Sequence, residues 1–290
     1  MINDKGGVGK TTLSTNVAGQ LAAAHQHVLL IDANRQANCA EDLGYRGREG
    51  VDDQGRGLLM ALMGRESLQP ARDIRPNLDV VPGGTALADL TPVLTSRLQV
   101  DGHSAFLALA EALAPIADDY DVIIIDSPPE NVVVEDLVLA TTRWAIMPTK
   151  SDRAGLIGMQ LTAERFVRAR EVNPTLELLG VVLFGTLSSG TRIRQRVRDQ
   201  VAAAFGGQPM LDTAIRSSEK LAQEARERGL LAHELQTAAL AGVSSETARG
   251  VASDYYALTE EILTLLGAAE QDGDDGSAQH EQVTTGEYGA

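Results

Sequence analysis

Short apolar runs alternate with amphipathic stretches along this chain. Each predicted strand is a mostly apolar run of four to six residues, at 28–31, 77–81, 122–125, 144–147, 179–184 and 210–215. Between these runs, apolar residues such as Leu13, Val17 and Leu21 recur at the spacing of one helix face. Strands that are apolar on both sides are typical of a parallel sheet covered by helices. The pattern predicts an α/β fold with a doubly wound, mostly parallel sheet flanked by helices.

One domain is predicted over residues 1–267, because the periodic pattern ends with a helix over 246–267. The segment 268–290 differs in composition: residues 271–290 contain five acidic residues and no Lys or Arg. Such a segment cannot bury a core, and we expect it to be disordered. Its charge is also the opposite of a basic amphipathic membrane anchor, so no membrane partner is expected.

The glycine-rich stretch Lys-Gly-Gly-Val-Gly-Lys-Thr-Thr at residues 5–12 is the strongest chemical signal. Glycines allow the backbone to turn tightly and to aim successive N–H groups at an anion. A helix that begins near Lys10 adds the positive end of its dipole. In such a phosphate loop Lys10 reaches the β- and γ-phosphates and the Thr11 hydroxyl ligates Mg²⁺. The stretch therefore predicts a site for a nucleoside triphosphate with Mg²⁺.

Such a loop normally follows a buried strand in the middle of the sheet. Only Met1 and Ile2 precede Asn3 here. Since a strand needs about five residues or more, we expect the natural chain to start ~5–8 residues upstream of Met1, or its start to be misassigned.

Two predicted strands end in an aspartate. Asp32 follows the apolar run 28–31, and Asp126 follows the run 122–125 and precedes Ser-Pro-Pro. Because parallel strands present their carboxyl ends at one edge, both carboxylates are expected beside the phosphate loop. The second run has the form of a Walker B strand, whose aspartate holds Mg²⁺ through a water.

The loop and these strands resemble the deviant Walker A ATPases of the ParA/MinD group, and the likeness extends from Asn3 to about Gly229. The resemblance implies ATP and Mg²⁺ as ligands and a homodimer that encloses two ATP molecules. Lys5 would then cross to the partner's phosphates, like an arginine finger. It implies metal contacts from Thr11, Asp32 and Asp126. It implies nucleotide contacts from Lys5, Gly6, Gly7, Val8, Gly9, Lys10, Thr11, Thr12, Pro148 and Thr186.

One position departs from the family in a way that affects chemistry. The family pattern Asp-x-Asp-Pro-Gln-x-Asn is matched by Asp32, Gln36 and Asn38, but its second aspartate is replaced by Asn34. In the family that aspartate helps to place the attacking water. An amide forms hydrogen bonds but accepts no proton. With Lys5, Lys10 and Asp32 as the other catalytic candidates, ATP hydrolysis is expected to be slow. Alternatively, Asn34 is only a turn residue.

Four arginines occur within seven residues, at Arg192, Arg194, Arg196 and Arg198, in a chain of formal net charge −15. A local cluster of this kind suits sequence-independent, salt-sensitive contacts with a DNA backbone. The open alternative is a solvated helix face that pairs with acids. The resemblance favours DNA and adds Arg216 and Lys220 to the basic surface.

The resemblance implies a cytoplasmic ATPase that dimerises with ATP, binds non-specific DNA on the nucleoid and partitions a plasmid, a chromosome or other cargo. A ParB-like stimulating partner is expected. The single cysteine, Cys39, excludes an intrachain disulfide and fits a reducing compartment. Two alternatives stay open: an ATP-bound DNA-binding switch with little hydrolysis, and a P-loop metabolic ligase.

Overall fold

The structure is a computed structural model that describes residues 1–186, 191–205, 210–237 and 244–284. Its strands are β1 (Val28–Asp32), β2 (Ala71–Arg75), β3 (Leu78–Val81), β4 (Val122–Asp126), β5 (Trp144–Thr149), β6 (Glu177–Thr186) and β7 (Met210–Arg216). Its α-helices are α1 (Lys10–Ala23), α2 (Asn38–Asp42), α3 (Arg56–Leu62), α4 (Leu90–Asp101), α5 (Ala108–Leu113), α6 (Val132–Thr141), α7 (Arg153–Val172), α8 (Thr191–Phe205), α9 (Glu219–Arg228), α10 (Ala232–Leu235) and α11 (Ser245–Thr284).

The strands form two groups, in the orders β2-β3-β1-β4 and β5-β6-β7. All neighbouring strands are parallel except β2 and β3, which are antiparallel. The mostly parallel α/β fold predicted from the sequence is confirmed. The edge strand β2 was not predicted, because its sequence Ala-Arg-Asp-Ile-Arg lacks an apolar run.

The first three residues lie between the two groups of strands, at the carboxyl ends of β4 and β5. The Met1 amino group donates to the carbonyl of Ile125 at 2.8 Å. The Ile2 N–H donates to the carbonyl of Ile146 at 3.0 Å, and Asn3 Nδ2 donates to the carbonyl of Pro148 at 2.8 Å. These contacts connect both groups and place the following glycine-rich loop at their common edge.

Helices cover both faces of the sheet. All five residues of β1 are buried; Val28 and Leu30 pack in one core cluster, and Leu29 and Ile31 pack in another. The first cluster includes apolar residues of α1 and α11, and the second includes residues of α3, α5 and α6. Period-two alternation across a strand buried on both faces explains why β1 is apolar throughout.

The end of the last helix differs from the prediction. The helix predicted over 246–267 begins as expected, but α11 continues to Thr284. The expected disorder of residues 268–290 stays a prediction. Residues 268–271 are Ala-Ala-Glu-Gln, all strong helix formers, so helix propensity accounts for the first turn beyond Gly267. Residues 272–276 are Asp-Gly-Asp-Asp-Gly, poor helix formers, so propensity does not account for the rest. Among the described side chains, the last ones of α11 that pack against the core are Leu265 and Leu266.

Residues 285–290 lie outside the described part of the chain. Within that part, the helices lack the combination of length and apolar character that a bilayer crossing requires.

Candidate functional site

The glycine-rich loop ends where α1 begins. Gly7 and Gly9 have φ angles of 72° and 96°, in the left-handed region that glycine adopts without strain. Gly9 is the residue immediately before α1, and a Cβ placed there would lie 2.6 Å from the Phe184 ring. Glycine is thus required at this position by backbone conformation and by the neighbouring ring.

Lys10 is held inside the loop. Its ammonium group donates to the carbonyl of Asn3 at 2.6 Å and to that of Lys5 at 3.1 Å. Burial lowers the pKa of Lys10 to about 8, and the charge of Asp126 offsets part of that effect. The loop therefore holds a cation next to backbone N–H groups, which is the arrangement that binds phosphate.

Asp32 and Asp126 are paired in register where β1 and β4 end, and both are fully buried. Thr11 Oγ1 donates to Asp126 Oδ2 at 2.6 Å, and Ser14 Oγ donates to its Oδ1 at 3.2 Å. Asp32 accepts from the N–H groups of Asn34 at 2.9 Å and Cys39 at 3.2 Å. The two carboxylates thus face each other beside the start of α1.

Burial raises the pKa of Asp32 to about 7, and the charge of Asp126 adds to the effect. Burial also raises the pKa of Asp126. Two buried carboxylates so close together repel each other when both are ionised, and a bound cation would offset that repulsion.

A divalent cation fits these donors. The ligand atoms of Asp32, Cys39 and Asp126 lie within 4.8 Å of one another, and the Thr11 hydroxyl adds an oxygen beside Asp126. Mg²⁺ prefers oxygen ligands in such sites. The Cys39 side chain stays a neutral thiol, because burial raises its pKa well above the usual range.

A cavity of about 540 Å³ opens in front of the loop. Of the predicted nucleotide-site residues, those on its wall are Gly6, Gly7, Gly9, Lys10, Thr11, Thr12 and Asn34. Asp32, Asp126 and Val8 are buried, and the exposed Lys5 begins the loop.

Pro148 and Thr186 are not among the described residues of the cavity wall. Lys150, Phe184 and Gly185, one or two positions away on the same strand ends, line it instead. Lys150 follows the end of β5, so the wall includes the residue just beyond that strand and not Pro148 within it.

Asn34 has features of both roles considered from the sequence. Its side chain accepts from the N–H of Gln36 at 3.0 Å, as a turn residue does. It also lies on the cavity wall. The turn contact uses the side-chain oxygen of Asn34, and an aspartate carboxylate would accept the same hydrogen bond.

The predicted DNA-binding arginines Arg192, Arg194, Arg196 and Arg198 are exposed on α8, and Lys220 is exposed on α9. Arg198 is 3.1 Å from Asp212, and Arg196 donates to the carbonyl of Ser151 at 3.0 Å. Arg216, at the end of β7, forms a two-pronged ion pair with Asp254 of α11. The basic surface is thus partly paired with the chain's own acids.

This chain is similar to several known proteins. Residues 1–178 match the family model described as an AAA domain, AAA_31. The chromosome-partitioning ATPase Soj of Treponema pallidum is 30% identical over 233 residues, which cover 79% of this chain and 86% of Soj. The chromosome partitioning protein ParA of Myxococcus xanthus is 33% identical over 204 residues, 70% of this chain and 69% of that protein.

The chain is a member of the ParA/MinD family of P-loop ATPases. Among solved structures, an ATP complex of a variant of Cyanothece McdA superposes with a TM-score of 0.71 at 21% identity, covering 92% of this chain and 94% of McdA. Cobyrinic acid a,c-diamide synthase from Mycobacterium smegmatis, with bound ADP and magnesium, has a TM-score of 0.64 at 26% identity, covering 79% and 90%. The first likeness concerns the fold, and the second connects that fold to nucleotide and magnesium.

Some residues of this ParA/MinD site were missed from the sequence. Ser14 was detectable, because it lies one helical turn after Lys10 on the helix that follows the loop. Cys39 and Phe184 carried no signal: their places depend on the start of α2 returning to Asp32 and on β6 bringing the Phe184 ring against Gly9. Both are consequences of tertiary structure.

Proposed function

We propose that this protein binds MgATP and pairs as an ATP-bound homodimer. In that state it binds DNA without sequence preference and positions or partitions a plasmid, a chromosome or another cargo. The observation that carries the proposal is the buried Lys10 ammonium, enclosed by the loop's own carbonyls and adjacent to Thr11 and Asp126.

Each side chain has a defined role in this proposal. The N–H groups of residues 6–12 and the Lys10 ammonium bind the phosphates. Thr11 would ligate Mg²⁺ directly, Asp126 would hold it through a water, and Asp32 would add a second carboxylate. When bound, Mg²⁺ neutralises phosphate charge, which lowers the barrier to attack on the γ-phosphate.

Lys5 is placed to act on a second copy of the chain. Its side chain is exposed, whereas its backbone is fixed by a 2.8 Å hydrogen bond from its N–H to Asn3 Oδ1. Gly158 of α7 packs so closely that a Cβ there would lie 2.7 Å from Lys5 Cβ. A fixed backbone with an exposed ammonium suits a cation that reaches the partner's phosphates across a dimer interface.

Hydrolysis is proposed to be slow because of Asn34. The residue lies on the cavity wall, at the position where the family pattern has an aspartate, and it cannot accept a proton from water. ATP binding does not depend on that group. The chain would therefore spend most of its time in the ATP-bound, paired state until a ParB-like partner stimulates turnover. The localisation that follows is cytoplasmic, on the nucleoid while ATP is bound.

A second candidate is an amide-forming ligase, because cobyrinic acid a,c-diamide synthase is 26% identical over 79% of this chain. The partition ATPases are favoured, because curated relatives of that function reach 30% and 33% identity. A ligase would use ATP without any dependence of DNA binding on nucleotide, so one experiment separates the two.

DNA retention tests the proposed function. The purified full chain is passed over immobilised duplex DNA with ATP, ADP or no nucleotide, from about 50 to 200 mM salt. We expect retention only with ATP, and a steep fall as salt rises because counterions are released at each phosphate contact. Arg194→Ala should lower the log–log salt slope by about 0.9. The matched control Arg170→Ala, at the far end of α7, should not change it. Retention that ignores nucleotide would support the ligase.

Lys5→Ala is expected to abolish ATP-driven pairing, because no other cation of the loop is exposed toward a partner in the described residues. ATP binding itself should persist, since Lys10 remains. Small-angle scattering with ATP measures the mass, and fluorescence titration with a labelled nucleotide measures binding. Arg170→Ala, which removes the same charge elsewhere, should pair normally. Pairing of Lys5→Ala at wild-type protein concentrations would remove Lys5 from the interface.

Asn34→Asp is expected to raise the steady-state rate of phosphate release by about tenfold or more, because it supplies a proton acceptor at the cavity wall. The Gln36 hydrogen bond is retained, since a carboxylate accepts it too. Asn131→Asp, an equivalent change at the N-terminus of α6 outside the site, is the control. An unchanged rate would show that this carboxylate does not limit turnover. Rapid Mg²⁺-dependent ATP turnover by the wild type would contradict the proposal that hydrolysis is slow.

A further inference from the structure

Arg216 is the most strongly paired member of the predicted DNA surface. Its Nε donates to Asp254 Oδ2 at 2.7 Å, and its Nη2 donates to Asp254 Oδ1 at 2.8 Å. The backbone N–H of Arg216 also donates to Asp254 Oδ2, at 2.9 Å. This planar, two-pronged geometry is the one with which arginine binds phosphate oxygens.

We propose that Asp254 occupies Arg216 as an internal substitute for a DNA phosphate, so that DNA binds this arginine only by displacing Asp254. The inference rests on the proposed DNA-binding function. It adds an autoinhibitory contact that weakens binding until the guanidinium is released.

For a DNA phosphate to replace Asp254, the Arg216 guanidinium must be accessible to solvent. The Arg216 side chain is 45% exposed and the Asp254 side chain is 13% exposed. A phosphate can therefore approach the guanidinium from solvent while the carboxylate stays in place on α11. The guanidinium also lies over Gly250, where a Cβ would be 2.5 Å from Nη1, so α11 is shaped to hold it.

Release of Arg216 does not require α11 to leave β7. Glu261, two turns beyond Asp254, accepts from the N–H groups of Asp212 and Thr213 at 2.7 and 2.9 Å. The apolar face of α11 is buried against the core through Val251, Tyr255, Leu258 and Ile262. The helix is thus fixed by contacts other than the Arg216 pair, and the guanidinium alone can exchange partners.

Arg216 also connects this contact with the nucleotide site. It lies on the wall of the same cavity as Lys10 and Thr12. A nucleotide in that cavity brings negative charge near the guanidinium, in competition with Asp254. Arg216, and therefore its ion pair with Asp254, belongs both to the wall of the proposed ATP site and to the proposed DNA surface.

The test is Asp254→Asn, measured by ATP-dependent DNA retention of the full chain across the salt series. We expect DNA affinity to rise about two- to fivefold, since half-exposed ion pairs contribute up to about that factor. The log–log salt slope should steepen by up to about 0.9, the value of one phosphate contact, to the extent that Arg216 stays on Asp254 when DNA binds the wild type. Asp118→Asn, which removes the same charge at the opposite ends of the strands, should leave both values unchanged.

A second background separates the ion pair from folding effects. In Arg216→Ala, the further change Asp254→Asn should give no gain in affinity, because the arginine that it releases is absent. Thermal unfolding of each variant confirms that the fold is retained. The inference about Asp254 is wrong if the wild type is retained on DNA and Asp254→Asn binds no more tightly. It is also wrong if Asp254→Asn gives an equal gain in the Arg216→Ala background. In both cases the proposed DNA-binding function still stands. No retention of any variant at any salt overturns the DNA interface, and this contact with it.

Discussion

The structure depends on placing a buried cation beside two buried carboxylates at one edge of the sheet. Isolated charges are costly to bury, so each here is matched: Lys10 by the carbonyls of Asn3 and Lys5, and Asp126 by the hydroxyls of Thr11 and Ser14. The compensation is incomplete, because the pKa of Lys10 is lowered and the pKa values of both aspartates are raised. Phosphate and a divalent cation would complete it.

The fold creates this edge from strands that are far apart in the sequence. β1 and β4 pair in register so that Asp32 faces Asp126, and Met1–Asn3 links β4 with β5 where the loop begins. The carboxyl ends of β5, β6 and β7 add Lys150, Phe184 and Arg216 to the cavity wall. Doubly wound sheets bind ligands at this position, where the chain changes direction across the sheet.

Much of this could be predicted from the sequence because it depends on local patterns. The glycines of the loop need particular φ angles, and the apolar runs that end in Asp32 and Asp126 need burial on both faces. Apart from Ser14, the contacts that were missed depend on long-range packing. Whether Pro148 or Lys150 lines the cavity depends on where β5 ends relative to the phosphate loop, which the sequence does not determine. The pairing of Arg216 with Asp254 joins positions 38 residues apart on elements whose relative placement no local pattern specifies.

The continuation of α11 beyond Gly267 has a different cause. A composition that cannot build a core does not by itself end a helix, and residues 268–271, Ala-Ala-Glu-Gln, favour one. Charge composition predicted that the segment adds little to the core, and the last described core contacts at Leu265 and Leu266 agree with that. It did not predict backbone conformation, because helix propensity and burial are separate properties.

Calorimetric titration with ATP, with and without Mg²⁺, tests the central claim most directly: the enclosed Lys10 and the facing aspartates form a MgATP site. The account predicts Mg²⁺-dependent binding by the wild type and an affinity at least about tenfold lower for Lys10→Ala, because a charge-assisted contact worth about 1.5–3 kcal/mol is lost. Thermal unfolding would confirm that the variant is folded. Equal affinity of the folded variant, or binding indifferent to Mg²⁺, would contradict the account.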